Sequence, residues 1–404
     1  MTPPAPVLLK GVLHEGRPCD ILLADGRIKS IAPAGAVSDP SAVAACVLDC
    51  ASLAILPAFY NTHTHAAMTL LRGYADDMPL MKWLQDYIWP YEDRLTAADI
   101  RRGSALATEE MTSGGTVFFN DMYFEVEQTI ETVAASGMRA AIGITVMDNH
   151  SLAQTEDKKR FVREFKDPTG GRIQLVIAPH AIYTVGKDRL KEWAAFARDN
   201  GLRLHIHLSE PAGEVSDCLS RTGLTPVQYL DSIGFLGPDV IAAHCVHLTR
   251  EDADTLARRG VTVSHCPCSN MKLGSGIFPF ALLQKAGCRI TLGTDGASSG
   301  NNLDMREAMK FSALLAKVGG ELESASAPEV LRSATECGAR AFGIDGGVIA
   351  EGKVADCVLV DLNNVRMRPL HSRVSNWVYS ADSCCIRAVF CDGRPVFERS
   401  APLF

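Results

Sequence analysis

Residues 57–65, PAFYNTHTH, decide the fold more than any other stretch of this sequence. A short apolar run, of the kind found in a buried strand, passes directly into Asn61 and the triplet His63-Thr64-His65. On an extended segment, residues two apart point to the same face, so we expect the two imidazoles side by side. A strand that ends this way predicts a functional site at its carboxyl end.

Seven further apolar runs follow along the chain, with amphipathic stretches such as KDRLKEWAAFARDN (residues 187–200) between them. Strands that alternate with helices predict parallel βαβ units. Eight units over residues 58–348 match the size of a (β/α)8 TIM barrel. An open doubly wound sheet is the alternative, but the sequence has no glycine-rich phosphate loop. The predicted strands are Ala54–Asn61, Thr116–Asp121, Ala140–Met147, Ile173–Pro179, Arg203–Leu208, Val240–His244, Val261–His265 and Arg289–Gly293.

The two ends of the chain resemble each other. Residues 19–33 (CDILLADGRIKSIAP) and 385–398 (CIRAVFCDGRPVFE) both alternate apolar and polar residues around an Asp-Gly pair. Asp-Gly between alternating runs predicts a β-hairpin, because both turn positions favour positive φ. A further pair of strands is indicated by residues 347–362. We therefore predict a small β-sandwich domain, residues 1–57 plus 349–404, beside a barrel domain of residues 58–348.

The segment between the first two predicted barrel strands is long and rich in tryptophan. Residues 72–95 (RGYADDMPLMKWLQDYIWPYEDRL) include Trp83 and Trp89, and we expect them to lie over the barrel mouth. As a lid they would cover a pocket, and as an interface they would contact another subunit. Symmetric homo-oligomers are common among soluble proteins. The sequence decides neither the role of this segment nor the oligomeric state.

Composition and charge exclude several classes of protein. The 404 residues are 47% hydrophobic and 22% charged, which is typical of a soluble enzyme with a large core. The net charge of −7 argues against a nucleic-acid partner. The 13 cysteines without regular spacing, and the lack of a signal peptide, favour the cytoplasm. Residues 50–71 carry no charged side chain, but their polar residues argue against a membrane span.

Catalytic residues of a TIM barrel lie at the carboxyl ends of its strands, and six of the eight predicted strands end in His or Asp. His63, His65, His207 and Asp295 together offer three imidazoles and one carboxylate. Such a set suits a divalent metal with an open position for water, with Zn²⁺ preferred and Fe²⁺ also compatible. No lysine that could bridge two metals occurs between residues 173 and 186, so we expect one metal per chain.

Other histidines and cysteines compete for the same role. His205 lies on the same strand face as His207 but one layer deeper, so it is an alternative ligand that we interpret as a core histidine. His247 and His265 are interpreted as structural. Residues 265–268, HCPC, look metal-like, but no second cysteine pair stands at structural-zinc spacing. The H-x-E and P-C-x-x-C pattern of cytidine-type zinc deaminases is absent.

A metal with an open position lowers the pKa of a bound water and so generates a nucleophile. Glu210 follows His207 by three residues, which places a carboxylate beside the metal as a candidate general acid/base. Asp295 can both touch the metal and accept a proton from the water, and His244 can orient the water or stabilise developing charge. These residues predict metal-assisted hydrolysis at an sp² carbon.

The longer stretches around these residues resemble the amidohydrolase superfamily and, within it, the 5-methylthioadenosine/S-adenosylhomocysteine deaminases. The resemblance runs from about residue 5 to residue 400, and chlorohydrolases and other aminohydrolases share much of it. It is carried by residues 57–84 (PAFYNTHTHAAMTLLRGYADDMPLMKWL), 177–184 (IAPHAIYT), 205–210 (HIHLSE), 241–248 (IAAHCVHL), 263–277 (VSHCPCSNMKLGSGI) and 292–299 (LGTDGASS).

The resemblance implies an activity and a role for each candidate residue. The activity is hydrolytic deamination of an adenosine-type nucleoside (5′-methylthioadenosine, adenosine or S-adenosylhomocysteine) to the inosine analogue and ammonia. The four metal-ligating candidates would bind the metal, and Glu210 would protonate a ring nitrogen. Asp295 and His244 would manage the proton from water.

The resemblance also implies substrate-binding residues. Glu92 would bind the ribose, because a carboxylate can accept from two adjacent hydroxyls, although its spacing alone favours a surface ion pair with Arg94. His180 would contact the purine or the sugar, and Ser299 would line the pocket.

One departure bears on the substrate. Family members that act on S-adenosylhomocysteine hold its amino-acid carboxylate with arginines near the third strand end, and residues 140–158 contain no arginine. A carboxylate without a cationic partner binds poorly. We therefore predict a preference for compact 5′-substituted or plain adenosines over S-adenosylhomocysteine.

Two rival functions remain open at this point. One is a deaminase or chlorohydrolase of a free purine or triazine heterocycle, for which a ribose-binding carboxylate would have no use. The other is a non-catalytic barrel that serves as a scaffold, which is disfavoured because every candidate catalytic position is filled.

Overall fold

The computed structural model describes residues 4–37, 39–320 and 322–399, and its strands form two sheets of eight. In chain order the strands are β1 (Val7–His14), β2 (Arg17–Ala24), β3 (Arg27–Pro33), β4 (Cys46–Asp49), β5 (Leu53–Pro57), β6 (Phe59–Thr64), β7 (Thr116–Tyr123), β8 (Arg139–Val146), β9 (Ile173–Pro179), β10 (Arg203–Leu208), β11 (Val240–His244), β12 (Thr262–His265), β13 (Arg289–Leu292), β14 (Cys357–Asp361), β15 (Ile386–Cys391) and β16 (Arg394–Glu398).

Strands β6 to β13 pair in chain order, and every pair is parallel. Polar groups join the first strand to the last: the Thr62 hydroxyl donates to the Leu292 carbonyl at 3.0 Å, and the Asp295 amide donates to the His63 carbonyl at 3.0 Å. The predicted (β/α)8 barrel is therefore confirmed, and its closure brings the ends of β6 and β13 together.

Helices follow the barrel strands and cover the sheet with their buried faces. Several begin with reciprocal capping by a threonine or serine and a residue three positions later, as at Thr249 and Asp252. No helix within the described ranges is long and apolar enough to cross a membrane. The α-helices are α1 (Pro40–Val43), α2 (Leu80–Trp83), α3 (Trp89–Glu92), α4 (Ala97–Ser113), α5 (Val126–Ser136), α6 (Leu152–Glu164), α7 (Lys187–Asp199), α8 (Ala212–Thr222), α9 (Pro226–Ser232), α10 (Arg250–Arg259), α11 (Pro267–Lys272), α12 (Phe280–Ala286), α13 (Ala297–Gly300), α14 (Met305–Val318), α15 (Ala327–Ala334), α16 (Glu336–Ala341) and α17 (Arg373–Tyr379). Short 3₁₀ turns span Ala66–Leu71, Val365–Met367 and Ser383–Cys385, and a π-helical turn spans Leu84–Ile88.

The second sheet takes its strands from both ends of the chain, in the order β16-β15-β14-β5-β1-β2-β3 with β4 beside β1. Both predicted hairpins are confirmed: Asp25-Gly26 joins β2 to β3, Asp392-Gly393 joins β15 to β16, and all four turn residues have positive φ. The sheet is mixed and encloses its own apolar cluster. The domain boundaries at residues 57 and 349 stay a prediction, and residues 1–3, 38 and 400–404 of that domain lie outside the described ranges.

The first predicted strand is a point of correction. The sequence predicts one strand over Ala54–Asn61, but the chain forms two: Leu53–Pro57 pairs with β14 in the small sheet, and Phe59–Thr64 begins the barrel. Proline lacks an N–H for a further ladder bond, and the chain changes sheets at Ala58, directly after Pro57. The run is apolar on both sides of this change, so its hydrophobic pattern shows no break.

Candidate active site

The four metal-ligating candidates converge at the carboxyl ends of β6, β10 and β13. Asp295 Oδ1 lies 3.4 Å from His63 Nε2 and 3.2 Å from His65 Nε2. His207 Nε2 lies 3.3 Å from His65 Nε2. Ligands bound to zinc at tetrahedral geometry are separated by about 3.3 Å, given metal–nitrogen distances near 2.0–2.1 Å. The spacing of these atoms is therefore that of ligands to one metal.

Main-chain carbonyls orient two of the imidazoles. His65 Nδ1 lies 2.6 Å from the Met122 carbonyl, and His207 Nδ1 lies 2.8 Å from the His180 carbonyl. Because a carbonyl oxygen can only accept, each Nδ1 carries the hydrogen. Each Nε2 then presents its lone pair to the cluster, as a metal ligand must.

His205 stands behind His63 rather than beside the cluster. Its Nδ1 lies 3.1 Å from the Ile241 carbonyl and so carries the hydrogen, while its Nε2 accepts from His63 Nδ1 at 2.8 Å. Burial lowers the pKa of His205 well below its ordinary value, which keeps this ring neutral. His63 Nε2 is thereby turned toward Asp295, and His205 occupies the deeper layer that the strand periodicity predicts.

Two buried nitrogens in the cluster, His63 Nε2 and His244 Nε2, have no hydrogen-bond partner among the described residues. His244 Nδ1 donates to Asn270 Oδ1 at 2.8 Å, which leaves Nε2 facing Asp295 Oδ2 at 3.9 Å. Burial opposes the charge on Asp295, but the neighbouring His63 and His65 imidazoles outweigh burial and hold its pKa well below the usual range. An anionic oxygen surrounded by unpartnered imidazole nitrogens fits a divalent cation.

The backbone that presents these groups is strained at four positions. Ser209, His244, Cys245 and Asp295 have φ of 51°, 70°, 51° and 62°, in the left-handed region that non-glycine residues seldom adopt. Ser209 and Cys245 directly follow barrel strands, His244 ends one, and Asp295 lies three residues past the end of β13. Strain of this kind costs of order 1–3 kcal/mol per residue and clusters at functional sites.

Glu210 follows β10 and reaches the same cluster. Its Oε1 accepts from the Ser275 hydroxyl at 3.1 Å and lies 3.8 Å from His244 Nδ1. Burial raises the pKa of Glu210, which favours the form that carries a proton. Ser275 is a contact that the sequence analysis did not single out, although it lies in the stretch 263–277 that carries the family resemblance.

The insertion predicted over residues 72–95 covers the mouth of the barrel. Its residues line the pocket above the metal cluster together with strand-end residues such as Met122, Tyr123 and Leu273. The π-helical turn Leu84–Ile88 lies within it, and such turns are frequent at functional sites. Lys272 ties the insertion to the barrel, because its ammonium donates to Asp76 and to the Asn301 side chain. The insertion residues that line the pocket are Leu80, Trp83, Leu84, Ile88, Trp89 and Glu92.

Glu92 is brought into the pocket, not into a surface ion pair with Arg94. Burial raises the pKa of Glu92 to about 7, although the Tyr123 hydroxyl and His65 oppose the rise. The Arg94 guanidinium instead lies over the ring of Tyr91, at 5.5 Å from its centroid. The pocket therefore holds two carboxylates besides Asp295 of the metal cluster: Glu210 near that cluster and Glu92 from the insertion.

His180 lines the same pocket, and its Nδ1 lies 2.9 Å from the Thr184 hydroxyl. Burial lowers the pKa of His180 to about 3, so this imidazole is neutral. Ser299 lies in α13, four residues past Asp295, and its hydroxyl donates to the Gly296 carbonyl at 3.2 Å. The described residues that line the pocket do not include Ser299, and its contact with substrate stays a prediction.

A second cavity of about 630 Å³ adjoins the pocket and shares Trp89, Glu92 and Tyr183 with it. Its wall includes residues 147–150 at the end of the third strand. Arg189 reaches this place from α7, but its guanidinium donates to the Met147 carbonyl and, at 3.1 Å, to the His150 carbonyl. Arg189 lies outside residues 140–158, the segment whose lack of arginine carries the substrate prediction, because a helix further along the chain supplies it.

A parallel barrel with a histidine and aspartate cluster at the carboxyl ends of its strands defines the class of metal-dependent hydrolases. The sequence matches the Amidohydrolase family over residues 54–396. This protein belongs to that family and is an enzyme of the amidohydrolase type.

Relatives of known activity match nearly the whole chain. A 5′-deoxyadenosine deaminase of Methanothermobacter thermautotrophicus is 43% identical, over 96% of this chain and 90% of its own. A 5-methylthioadenosine/S-adenosylhomocysteine deaminase of Archaeoglobus fulgidus is 45% identical, over 87% and 84%.

Solved structures give the same result for the fold. An adenosine deaminase from Xanthomonas campestris with bound zinc superposes with a TM-score of 0.87 at 34% identity, covering 96% of this chain and 92% of its own. An atrazine chlorohydrolase from Arthrobacter aurescens TC1, complexed with zinc, superposes with a TM-score of 0.86 at 22% identity, covering 97% and 95%. At 22% identity, the similarity to the atrazine chlorohydrolase supports the fold alone.

Proposed function

We propose that this protein hydrolyses the 6-amino group of adenosine-type nucleosides and releases the inosine analogue and ammonia. The observation that supports this most is a single pocket with two carboxylates besides Asp295: the buried Glu210 beside the metal cluster and the half-buried Glu92 from the insertion. The first suits proton transfer to a ring nitrogen, and the second suits recognition of a ribose. The activities of the relatives agree with this substrate class.

We further propose that His63, His65, His207 and Asp295 hold one Zn²⁺ per chain. When bound, the metal lowers the pKa of a coordinated water and makes it nucleophilic at neutral pH. The zinc in the adenosine deaminase structure supports this choice of metal, and the donor set also accepts Fe²⁺.

The surrounding side chains move the protons of the reaction. Glu210 delivers a proton to the ring nitrogen next to the amino-bearing carbon while the water oxygen bonds to that carbon. Asp295, whose Oδ2 faces His244 at 3.9 Å, accepts a proton from the water, and His244 stabilises the charge that develops. That proton passes from Asp295 to the amino group, the carbon–nitrogen bond breaks and ammonia leaves, while the proton that remains on the new hydroxyl returns to Glu210 as the carbonyl forms.

Glu92 and His180 bind the substrate in this proposal. The Glu92 carboxylate accepts from the two adjacent ribose hydroxyls, and the neutral His180 ring contacts the purine or the sugar. A 5′-substituent then extends toward the adjoining cavity, where Arg189 is already engaged by main-chain carbonyls. No arginine or lysine is among the described residues that line this cavity, which supports the preference for compact 5′-substituents.

The experiment that tests the proposal is ammonia release by zinc-reconstituted protein from adenosine, 5′-methylthioadenosine, S-adenosylhomocysteine, guanine and 8-oxoguanine. We expect turnover of the adenosine compounds and none of the free bases. Turnover of a free base alone would retain the hydrolytic chemistry but contradict the substrate class and the role of Glu92. No turnover of any compound by protein with one metal per chain would contradict the function.

A further inference from the structure

We propose that Glu214, a residue outside the substrate pocket, positions Glu210 for proton transfer. This inference rests on the proposed role of Glu210. Glu214 lies in the first turn of α8, and its side chain is buried. Its Oε1 accepts from the Ser209 amide at 3.0 Å, and its Oε2 accepts from the Glu210 amide at 3.0 Å. Both carboxylate oxygens thus hold the backbone from which Glu210 projects.

The backbone amides of Ser209 and Glu210 need hydrogen-bond acceptors from outside the strand ladder. Ser209 has left the β10 ladder with a φ of 51°, and its carbonyl accepts from the amides of Val246 and His247, both at 3.0 Å. The amides of Ser209 and Glu210 point instead toward α8, away from any neighbouring strand. A buried N–H without an acceptor loses the hydrogen bond that water gives it in the unfolded chain, which destabilises the fold. The Glu214 carboxylate removes that cost at two successive amides and thereby fixes the turn.

The position of the turn sets the position of the Glu210 carboxyl. The Ser275 hydroxyl donates to the Glu210 carboxylate at 3.1 Å. Glu214 fixes the backbone from which the Glu210 side chain extends. A displacement of about 1 Å of a catalytic group costs on the order of a hundredfold in rate. Glu214 touches neither the substrate pocket nor the metal cluster among the described contacts, so it acts through Glu210 as a positioning residue.

The test is Glu214→Gln, which keeps the size of the side chain but turns an amide N–H₂ toward one of the two backbone amides. We expect kcat for 5′-methylthioadenosine to fall about 10- to 100-fold, with KM and metal content unchanged. In the Glu210→Gln background the same substitution should change kcat by less than about twofold, because a residue that acts only through Glu210 has nothing left to position.

The matched control is Asp252→Asn. Asp252 is also a buried carboxylate in the first turn of a helix, where it accepts from the Thr249 amide at 2.9 Å and the Thr225 hydroxyl at 2.5 Å. It lies outside the pocket and the metal cluster, so we expect a lower Tm with unchanged kcat. Glu214→Asp keeps the charge on a shorter side chain, and its kcat should fall between those of wild type and Glu214→Gln.

Several results would overturn the proposal. They are wild-type kcat in Glu214→Gln, a further fall of kcat in the Glu210→Gln background, loss of metal in parallel with activity, and failure of both Glu214 variants to fold while Asp252→Asn folds. Failure of the proposed function has a different signature, because the wild-type enzyme itself would then not deaminate the nucleoside.

Discussion

The two ends of the substrate pocket are built in different ways. The floor, which is the candidate metal cluster of His63, His65, His207 and Asp295, lies at the carboxyl ends of strands β6, β10 and β13 of one parallel barrel. Three of its four side chains are fixed by a second contact, to Met122, His180 or His205. The roof, residues 80–92, consists of helical segments of four or five residues that pack in an apolar cluster separate from the barrel core.

The difference separates the reaction from the choice of substrate. A metal and its proton carriers need positions fixed within fractions of an ångström, which strand ends backed by hydrogen bonds provide. The roof contacts the substrate from the side opposite to the metal cluster. Its residues can therefore differ between related proteins without changing the hydrolytic chemistry. We infer that the floor determines which bond is hydrolysed and that the roof determines which molecule is bound.

The largest effect is expected from Asp295→Ala, which removes the anionic ligand of the floor. Metal content should fall well below one per chain, and ammonia release should fall at least about 10³-fold, since both the metal site and a proton acceptor are lost. Metal analysis and ammonia release measure the two effects. Asp254→Ala, on the surface of α10, is the control, and a variant of Asp295 with normal metal and activity would contradict the floor as described.

A smaller effect is expected when the 5′-substituent of the substrate carries a carboxylate. S-adenosylhomocysteine should have a kcat/KM at least about tenfold below that of 5′-methylthioadenosine, because its carboxylate lacks a charged hydrogen-bond partner. The measurement is a kinetic comparison on one preparation, with adenosine as the reference. If S-adenosylhomocysteine is the best substrate, Arg189 must leave the Met147 and His150 carbonyls to bind it.

The pH dependence of KM tests whether Glu92 binds the nucleoside. Because the pKa of Glu92 is raised to about 7, its carboxylate is ionised above that pH and protonated below it. KM for the nucleoside should therefore rise up to about tenfold as pH falls from 8 to 6. Initial rates at several pH values measure this, and Glu92→Gln should remove the dependence. An unchanged pH profile in that variant would assign the dependence to another group.

The smallest effect is expected from Lys272→Ala, which removes the Lys272 contacts that join Asp76 of the insertion to Asn301 of the barrel. A partly exposed ion pair contributes about 0.2–1 kcal/mol, so KM should rise no more than about fivefold with kcat unchanged. Arg332→Ala, which removes a surface pair with Glu336, serves as control. A large fall in kcat would show that the roof and the floor are not separable.

Local patterns in the sequence were sufficient to predict the floor. His63 and His65 share a face because a strand repeats every two residues, and the strand ends of a parallel barrel meet on one side. The same reasoning placed His205 one layer deeper than His207, where the structure has it. Roles for these residues, including their binding of the metal, remain proposals.

Contacts between distant parts of the chain could not be predicted in this way. The change of sheet at Ala58 lies inside a continuous apolar run, so no break in hydrophobicity marks it. Arg189 and Ser275 approach the site from elements far along the chain, and no periodicity encodes that approach. Glu92 entered only through the family resemblance, since its spacing from Arg94 favours a surface pair.

The measurement that tests the separation of floor and roof most directly is steady-state kinetics of 5′-methylthioadenosine with Glu210→Gln and Glu92→Gln, side by side with wild type. We predict that Glu210→Gln lowers kcat about 10²- to 10⁴-fold with little change in KM. We predict that Glu92→Gln raises KM at least about tenfold with little change in kcat. A Glu92 variant that loses kcat as severely as the Glu210 variant, or a Glu210 variant with wild-type kcat, would contradict the account.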